Sequence, residues 1–295
     1  MKKALVIGGS GFMGSHTADE LSKRGYEVTV FDRFHSPWLK VGQKMIIGDY
    51  MDEESLSKAL QEISILYHFA GIADIELARK NPLATIDANV LGLTKVLEAI
   101  KKINVERFIF ASTMYVYSNF GSFYRASKQA AEIIIEAYSE HYGIDFTLLR
   151  YGSLYGPRAQ NWNGIRRFAS QIVEEGEVQY SGDGTEMREY IHVEDAARLS
   201  VDILDSAYIN QAITITGQQL IKVDDLISVL FEIAGQPRKV KYQGKSSTPT
   251  HYGHTPYRYT PKAAKKLVPQ QFVDLGQGLL GVIEDIHNEQ EISGN

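Results

Sequence analysis

Short apolar runs rich in Val, Ile and Phe recur through the first half of the chain, and helical patterns separate them. ALVIG (4–8), EVTVFD (27–32), MIIGD (45–49), ILYHFAG (65–71), RFIFAST (107–113) and DFTLLRYG (145–152) read as strands. SHTADELSKRG, EESLSKALQEI, NPLATIDANVLGLTKVLEAIKKI and QAAEIIIEAYSEHY repeat their apolar residues three and four apart, the period of an amphipathic helix. The strands are apolar throughout rather than alternating. Strands of that kind are buried on both faces, as in a parallel sheet covered by helices. Alternation of β and α units predicts an α/β protein with a doubly wound parallel sheet and right-handed crossovers.

From about residue 155 the pattern loosens. Gly, Tyr, Thr and Pro become more frequent and the elements shorter. QAITITG (211–217) reads as one further strand returning to the sheet, and VDDLISVLFEIAG (223–235) as one further helix. The expected organisation is a first domain over 1–154, with later returns to its sheet near 188–217. A smaller, discontinuous region over 155–295 caps it. The chain has no internal repeat.

Composition narrows function more than fold. Apolar residues make up 44% and charged residues 23% of the 295, an ordinary globular balance. The net charge is −5 without a long block of one sign, which argues against a nucleic-acid surface. With no cysteine, disulfides and thiolate metal sites are excluded. MKKALVIGG begins like a signal peptide, but its apolar run is short, ends in glycines and lacks an A-x-A site. No run approaches the ~20 apolar residues of a membrane span. The expectation is a cytoplasmic protein without membrane or nucleic-acid partners. Only the final NEQEISGN has the composition of a disordered tail.

IGGSGFMGSH spaces Gly8, Gly11 and Gly14 as G-x-x-G-x-x-G, directly after a strand and at the start of a helix. The first glycine permits a tight turn, the second lets backbone approach a pyrophosphate, and the third lets helix and strand pack closely. Unpaired N–H groups and the dipole at the helix N-terminus attract the pyrophosphate. The loop therefore points to a dinucleotide bound on a Rossmann-like sheet. Asp32 ends the second strand, eighteen residues after Gly14. A carboxylate there accepts hydrogen bonds from the adenosine ribose and repels a 2′-phosphate, which favours NAD over NADP. Arg33 beside it can stack on adenine or hold a phosphate, and so leaves NADP open. Asp49 is placed to reach the adenine edge, while Asp52 is the better helix cap. Phe69, Ala70 and Gly71 end the fourth strand at its carboxyl edge, where ligands collect in such sheets. His68 reads as a buried, hydrogen-bonded core histidine.

YRASK (124–128) puts a phenol and an ammonium four residues apart, on one face of a helix that rises about 5.4 Å per turn. An ordinary tyrosine titrates near ~10. A fixed ammonium, with a positive nicotinamide nearby, favours the phenolate. A positioned acid–base group is worth ~10²–10⁴ in rate. Alone the pair reads as surface decoration; behind a dinucleotide loop it reads as proton-transfer machinery.

GGSGFMG, YHFAG, ANVLGLTKVLEA, FIFASTMYVYS, YRASK, LRYGSLYGPR and GDGTEMREYIHVEDAA follow one another over nearly the whole chain. In this order they resemble the NAD-dependent epimerase/dehydratase family, the extended short-chain dehydrogenases. The resemblance implies an NAD-dependent enzyme that acts on a nucleotide sugar. It implies that Tyr124 takes an alcohol proton as hydride passes to NAD, that the Thr113 hydroxyl holds the reacting sugar oxygen, and that Lys128 also holds the nicotinamide ribose. It places Phe12, Met13, Tyr50, Asn89, Ala111 and Tyr151 along the cofactor. Ser153 stands near the diphosphate where relatives often have asparagine. Arg188 matches the family arginine that grips phosphate, with a surface ion pair to Glu186 or Glu189 as its alternative. Arg258 is a second phosphate candidate. A guanidinium forks well onto such oxygens.

The family divides by the residues just after the catalytic Ser/Thr. Sugar dehydratases resemble S-T-D-E-V-Y-G, and nucleotide-sugar decarboxylases keep a glutamate there. This chain reads S-T-M-Y-V-Y-S, with Met114 and Tyr115 in those places. Elimination then lacks its acid–base pair, which leaves redox chemistry at one carbinol and resembles the 4-epimerases. Only SNFGSF separates Tyr117 from Tyr124, where epimerases usually carry a longer cover over the sugar. An open pocket that releases its ketosugar would make the protein an NDP-sugar 4-dehydrogenase or 4-ketoreductase. A non-catalytic NAD-binding regulator is the alternative of another class. TPTHYGHTPYRY (248–259) is a candidate for the missing cover or for a dimer contact. His251 and His254 within it, with no third ligand nearby, read as a loop feature rather than a metal site. The helices over 88–103 and 125–142 carry the faces that relatives use to form homodimers.

Overall fold

Burial on both faces sets the first strand, β1 (Lys3–Ile7). Ala4 and Val6 point into one layer of helices, and Leu5 and Ile7 into the other, with almost no exposure. Val6, Leu5 and Ile7 each contribute about 1.5–3 kcal/mol when taken from water, and Ala4 less. The structure, a computed structural model, describes residues 2–244, 251–253 and 256. In it β1 lies between β2 (Glu27–Asp32) and β4 (Ile65–His68), and β3 (Lys44–Ile47) adds outside β2. Beyond β4 come β5 (Arg107–Thr113), β6 (Phe146–Tyr151) and, at the far edge, β10 (Gln211–Ile215). The order is β10-β6-β5-β4-β1-β2-β3, and all six pairings are parallel.

Helices α1 (Phe12–Lys23) and α8 (Val193–Asp202) cover one face. On the other lie α2 (Glu53–Ala59), α5 (Gly92–Ile100) and α6 (Ser122–Tyr142). The chain builds β1, β2 and β3 in one direction, then returns to β4 and builds the other way. Such a reversal opens a crevice at the carboxyl ends of the strands.

The long helical pattern over 81–103 is not one helix. It forms α4 (Pro82–Ile86) and α5, joined by a wide π-type turn over Asp87–Leu91, and α3 (Ile75–Lys80) precedes it. Asn89 in the wide turn reaches back to the loop after β4. Its Oδ1 accepts from the Ile72 N–H at 2.7 Å, and its amide donates to the Ile72 carbonyl and the Ser127 hydroxyl, each at 2.9 Å.

The later part adds a three-stranded sheet of β7 (Ser153–Tyr155), β9 (Met187–His192) and β11 (Leu220–Lys222), and a pair of β8 (Val178–Tyr180) with β12 (Val240–Tyr242). Helices α7 (Gly164–Glu175) and α9 (Val223–Ile233) share a small core of Phe168, Ile172, Val178, Ile227 and Phe231.

Candidate active site

A cleft of about 1780 Å³ runs along the carboxyl ends of the strands and on to α7, β9 and residues 251–253. A drug-sized ligand fills roughly 300–1,000 Å³, so this cleft has room for more than one. Its first half is built from backbone. Gly8, with φ of +80°, turns the chain so tightly that a Cβ would lie 2.6 Å from the Ala70 nitrogen. A Cβ on Gly14 would lie 2.3 Å from the Gly8 carbonyl. At Gly11 it would meet only the Gly8 oxygen, at 3.2 Å, so the other side is open. Gly11 caps α1 without a side-chain bond, and no acidic residue sits in the first turn. The first N–H groups of α1, from Phe12, Met13 and Gly14, are left to an incoming anion. These features fit a dinucleotide pyrophosphate.

Asp32 stands at the end of β2, on the rim of this half. Its carboxylate accepts from the Ser10 N–H at 3.0 Å and the Phe34 N–H at 3.3 Å, which ties it to the glycine loop. Arg33 is largely exposed, its guanidinium 4.0 Å from Asp49. Asp49 accepts from the Met51 N–H at 2.9 Å, and Asp52 caps α2 through the Ser55 N–H at 2.9 Å. Tyr50 lines the cleft with its ring and donates to the Ala88 carbonyl at 3.2 Å. Phe69, Ala70, Gly71 and Ala111 complete the floor.

Two of the expectations are corrected here. Asn89 does not line the cleft: its amide is spent on Ile72 and Ser127, so it fixes the floor loop from behind. His68 is buried, but its Nδ1 has no hydrogen-bond partner among the described residues. The ring is held by aromatic packing instead, stacked near Phe108 and Phe110 and edge-on to Tyr50 at 5.3 Å. Desolvation, with the Lys128 charge adding to it, lowers His68 to about 3, so it is neutral at pH 7.

Across the floor stands α6. It begins after Gly121, whose φ is +99° and where a Cβ would strike the Tyr115 ring at 2.7 Å. Its buried stripe is Tyr124, Ser127, Lys128, Ala131, Glu132 and Ile135, at the three- and four-residue spacing of one helix face. A phenol, an ammonium and a carboxylate thus occupy positions normally given to apolar residues. Tyr124 and Lys128 line the cleft, and Thr113 at the end of β5 faces them. The Thr113 hydroxyl accepts from the Tyr115 N–H at 3.3 Å and stands near enough to the Tyr124 phenol to favour its ionised form. Lys128 donates to the Ala111 carbonyl at 2.7 Å, with its nitrogen 4.5 Å from the centre of the Phe110 ring.

The electrostatics differ from the expectation in one respect. Burial raises Tyr124 to about 12, opposed by the Thr113 hydroxyl. Burial also lowers Lys128 to about 8, against the attraction of Glu132. In the protein alone desolvation governs both groups, and the ammonium is turned to Ala111 and Phe110.

Beyond Tyr124 the cleft is lined by aromatic rings and by cations, among them Arg188 and Arg167. Tyr151 presents its ring, while its hydroxyl is paired with the Ser200 hydroxyl at 2.6 Å. Ser153 lies close by at the start of β7. Arg188 on β9 is inside the cleft rather than in a surface ion pair. Its guanidinium lies 5.0 Å from the centre of the Tyr252 ring, and its charge acts on the Tyr115 phenol. Desolvation opposes its charge, but the surrounding phenols, Tyr115 and Tyr252 first, raise it above the ordinary guanidinium value. Met114 is fully buried, and Tyr115 turns into the cleft, 4.6 Å from Tyr252 and 6.2 Å from Tyr124 between ring centres.

His251, Tyr252 and Gly253 line this end, and the Gly253 carbonyl accepts from the Met187 N–H at 2.8 Å. His251 Nδ1 is 2.6 Å from the Tyr115 hydroxyl. Desolvation and the Arg188 charge lower His251 to about 4. Among the described residues no three His, Asp or Glu form a metal cluster. Arg258 and His254 lie outside the described residues.

Sequence reasoning did not find Ser112, Glu132 or Arg150, which stand behind the site, or the pairing of Tyr115 with His251. Glu132 had a legible signal, its place four residues after Lys128 on the same helix face. The pairing of Tyr115 with His251 had none, the two being 136 residues apart in the chain.

The family model for the NAD dependent epimerase/dehydratase family matches residues 4–215. The chain belongs to this family. It is accordingly an enzyme, with NAD as cofactor, and the glycine cradle fits that group. Among curated relatives, a UDP-glucuronate 4-epimerase of Thermodesulfobacterium geofontis is 28% identical over 81% of this chain and 82% of its own. A UDP-N-acetyl-alpha-D-glucosaminuronate decarboxylase of Bacillus cytotoxicus is 26% identical over 81% and 82%. Among solved structures, the UDP-glucose 4-epimerase of Thermotoga maritima with UDP-glucose superimposes with a TM-score of 0.80 at 27% identity, covering 88% of this chain and 90% of that one. The UDP-glucuronic acid 4-epimerase of Bacillus cereus with UDP-glucuronic acid and NAD gives 0.79 at 27%, over 89% and 95%. Among the described residues no helix is long and apolar enough to cross a membrane.

Proposed function

We propose that the protein inverts the C4 configuration of a nucleoside-diphosphate sugar. The observation that carries this reading is the meeting of Thr113, Tyr124 and Lys128 on one wall of the cleft that the glycine loop opens. NAD, when bound, supplies the acceptor that takes a hydride from a sugar carbinol and returns it. Asp32 would hold the adenosine ribose of bound NAD, and Lys128 its nicotinamide ribose. Thr113 holds the C4 oxygen by hydrogen bonding, and Tyr124 takes the C4 hydroxyl proton as the carbinol becomes a ketone. The ketosugar turns, and Tyr124 gives the proton back as the opposite face is reduced. In the protein alone burial raises Tyr124 to about 12. The phenolate it must form draws on the Lys128 ammonium and on the positive nicotinamide of the bound cofactor. Arg188 holds the diphosphate with Ser153 beside it, and Arg258, outside the described residues, is assigned as a second phosphate contact.

Met114 and Tyr115 argue against elimination or decarboxylation, since the turn after Thr113 offers no carboxylate. Tyr252, packed on Tyr115 and Arg188, supplies the cover that the short 118–123 segment lacks, which favours retention of the ketosugar over its release. The first domain, with the return at β10, holds NAD, and the later region holds the sugar nucleotide. The protein works as a cytoplasmic homodimer through α5 and α6.

The test is to incubate the protein with NAD and a panel of UDP-, GDP- and dTDP-sugars. Conversion to the C4 epimer without net NADH is expected for at least one. Accumulating NADH would make it a dehydrogenase, and bound NAD with no turnover a regulator. Native mass spectrometry reports the subunit count.

A further inference from the structure

Helix α6 buries a carboxylate one turn beyond its lysine. Glu132 follows Lys128 by four residues, so the two share the buried stripe, and each is 6% exposed. The oxygens of Glu132 are engaged from β5 and β6. The Ser112 hydroxyl, next to Thr113 on β5, donates to Oε1. Arg150 on β6 forks onto the pair, with Nε 3.0 Å from Oε1 and Nη2 2.6 Å from Oε2. The same guanidinium donates to the Tyr117 hydroxyl, in the turn after Thr113, and lies 4.7 Å from the centre of that ring. One carboxylate therefore joins the helix that carries Tyr124 and Lys128 to the strand end that carries Thr113.

The groups around Lys128 include one anion. Its own helix offers Tyr124 and Glu132. From β5 come the Ala111 carbonyl and the Phe110 ring, and from β4 the neutral His68. Arg150, on β6, is a cation beyond Glu132. Among the described residues Glu132 is the carboxylate that acts on Lys128: it shares the buried face of α6 and attracts the ammonium from beyond ion-pair distance, while its direct ion pair is with Arg150. A buried ammonium without a counter-charge gives up its proton.

We propose that Glu132 is a positioning residue of this site: it supplies the counter-charge of the buried Lys128 ammonium and, through Ser112 and Arg150, holds α6 in register with the Thr113 end of β5. The proposal rests on the reading that Lys128 holds NAD and serves hydride transfer beside Tyr124. The direction of the electrostatics agrees with it. Burial lowers Lys128 to about 8 in spite of Glu132, and loss of that attraction lowers it further.

The test compares wild type with Glu132→Gln and with Glu132→Gln/Arg150→Met. Glutamine keeps the shape and the Ser112 bond, but it leaves Arg150 as a buried cation without its partner, which destabilises the fold. The second substitution removes that cation and keeps the interior neutral. NAD affinity by calorimetry, turnover and thermal unfolding are each followed against pH. In wild type, NAD affinity and turnover are expected to fall on the alkaline side with a midpoint near about 8. In both variants that midpoint moves down, and further in Glu132→Gln, because the double variant also loses the Arg150 cation. At neutral pH kcat falls several-fold while KM for the sugar nucleotide holds, and the double variant recovers stability without recovering the midpoint. A double variant that regains stability, turnover and the wild-type midpoint together overturns the proposal in favour of a purely structural pair. So does a midpoint unmoved in both variants, or an NAD affinity that is flat with pH in wild type. If wild type converts no nucleotide sugar, the proposed function falls, while the NAD titration still decides the role of Glu132.

Discussion

The glycine-loop half of the cleft is made of backbone, whereas the half beyond Tyr124 is made of side chains. In the first, Gly8, Gly11 and Gly14 come from seven consecutive residues, and even Asp32 spends its carboxylate on the loop's own N–H groups. In the second, Tyr115, Arg188, His251 and Tyr252 come from three distant segments and are held by ring contacts and hydrogen bonds. A backbone surface is specified by which residues are absent, so one added methyl group damages it. A side-chain surface is specified by which residues are present, so it degrades one interaction at a time. The two halves are expected to fail in different ways.

The largest effect is expected from Gly14→Ala. The added Cβ lies 2.3 Å from the Gly8 carbonyl and 2.9 Å from the Gly9 Cα, both backbone atoms that cannot swing aside. The loop must open, and NAD binding measured by calorimetry or fluorescence is expected to be lost along with turnover. Retention of wild-type NAD affinity would show that the first half tolerates side chains after all.

Tyr124→Phe separates the halves. It removes a proton carrier and leaves the glycine cradle untouched. Turnover is expected to fall by about 10²–10⁴ with NAD affinity within a few-fold of wild type. Near-normal turnover would remove the phenol from the reaction.

The same contrast explains what was legible in the sequence. The strands, the glycine loop and YRASK are local patterns, and each lies in the structure where its spacing put it, on the sheet or along the cleft. The break of the 81–103 helix at the wide turn was not legible, because apolar periodicity does not distinguish a π-type turn from continuous helix. That Asn89 serves the floor loop from behind was hidden for the related reason that its partners, Ile72 and Ser127, are fixed only by tertiary packing. Glu132 had a local signal in its place four residues after Lys128, but its partners Ser112 and Arg150 are set only by the packing of β5 and β6 against α6. The aromatic end of the cleft depends on pairings such as Tyr115 with His251, which no local pattern encodes.

His68 sharpens the comparison from beneath the first half. It is neutral and depressed from 6.5 to about 3 by desolvation and then by Lys128. A base whose folded value is lowered binds protons in the unfolded chain first, so stability falls as pH drops from 6.5 toward 3. At ~1.4 kcal/mol per pH unit, roughly 2 kcal/mol is lost by about pH 5. His68→Phe is expected to change stability little at pH 7 and to flatten this acid limb, read as unfolding midpoints in denaturant. An unchanged limb would mean that other groups govern the acid sensitivity.

The smallest effect is expected from Tyr115→Phe, and it tests whether the second half degrades gradually. The substitution removes one hydroxyl and leaves the ring that packs on Tyr252 and Tyr124. The loss is the bond to His251 and whatever contact the hydroxyl makes to the sugar. A hydrogen bond of this kind is worth about 0.5–1.5 kcal/mol, so KM for the sugar nucleotide is expected to rise up to about tenfold while NAD affinity is unchanged. Tyr115 is also raised by burial first and by the Tyr252 phenol second, so it is neutral at pH 7 and stands in the carboxylate's place as a donor without charge. If it served as the acid or base of an elimination, Tyr115→Phe would cost as much as Tyr124→Phe, and the two halves of the comparison would have to be redrawn around a second proton-transfer pair.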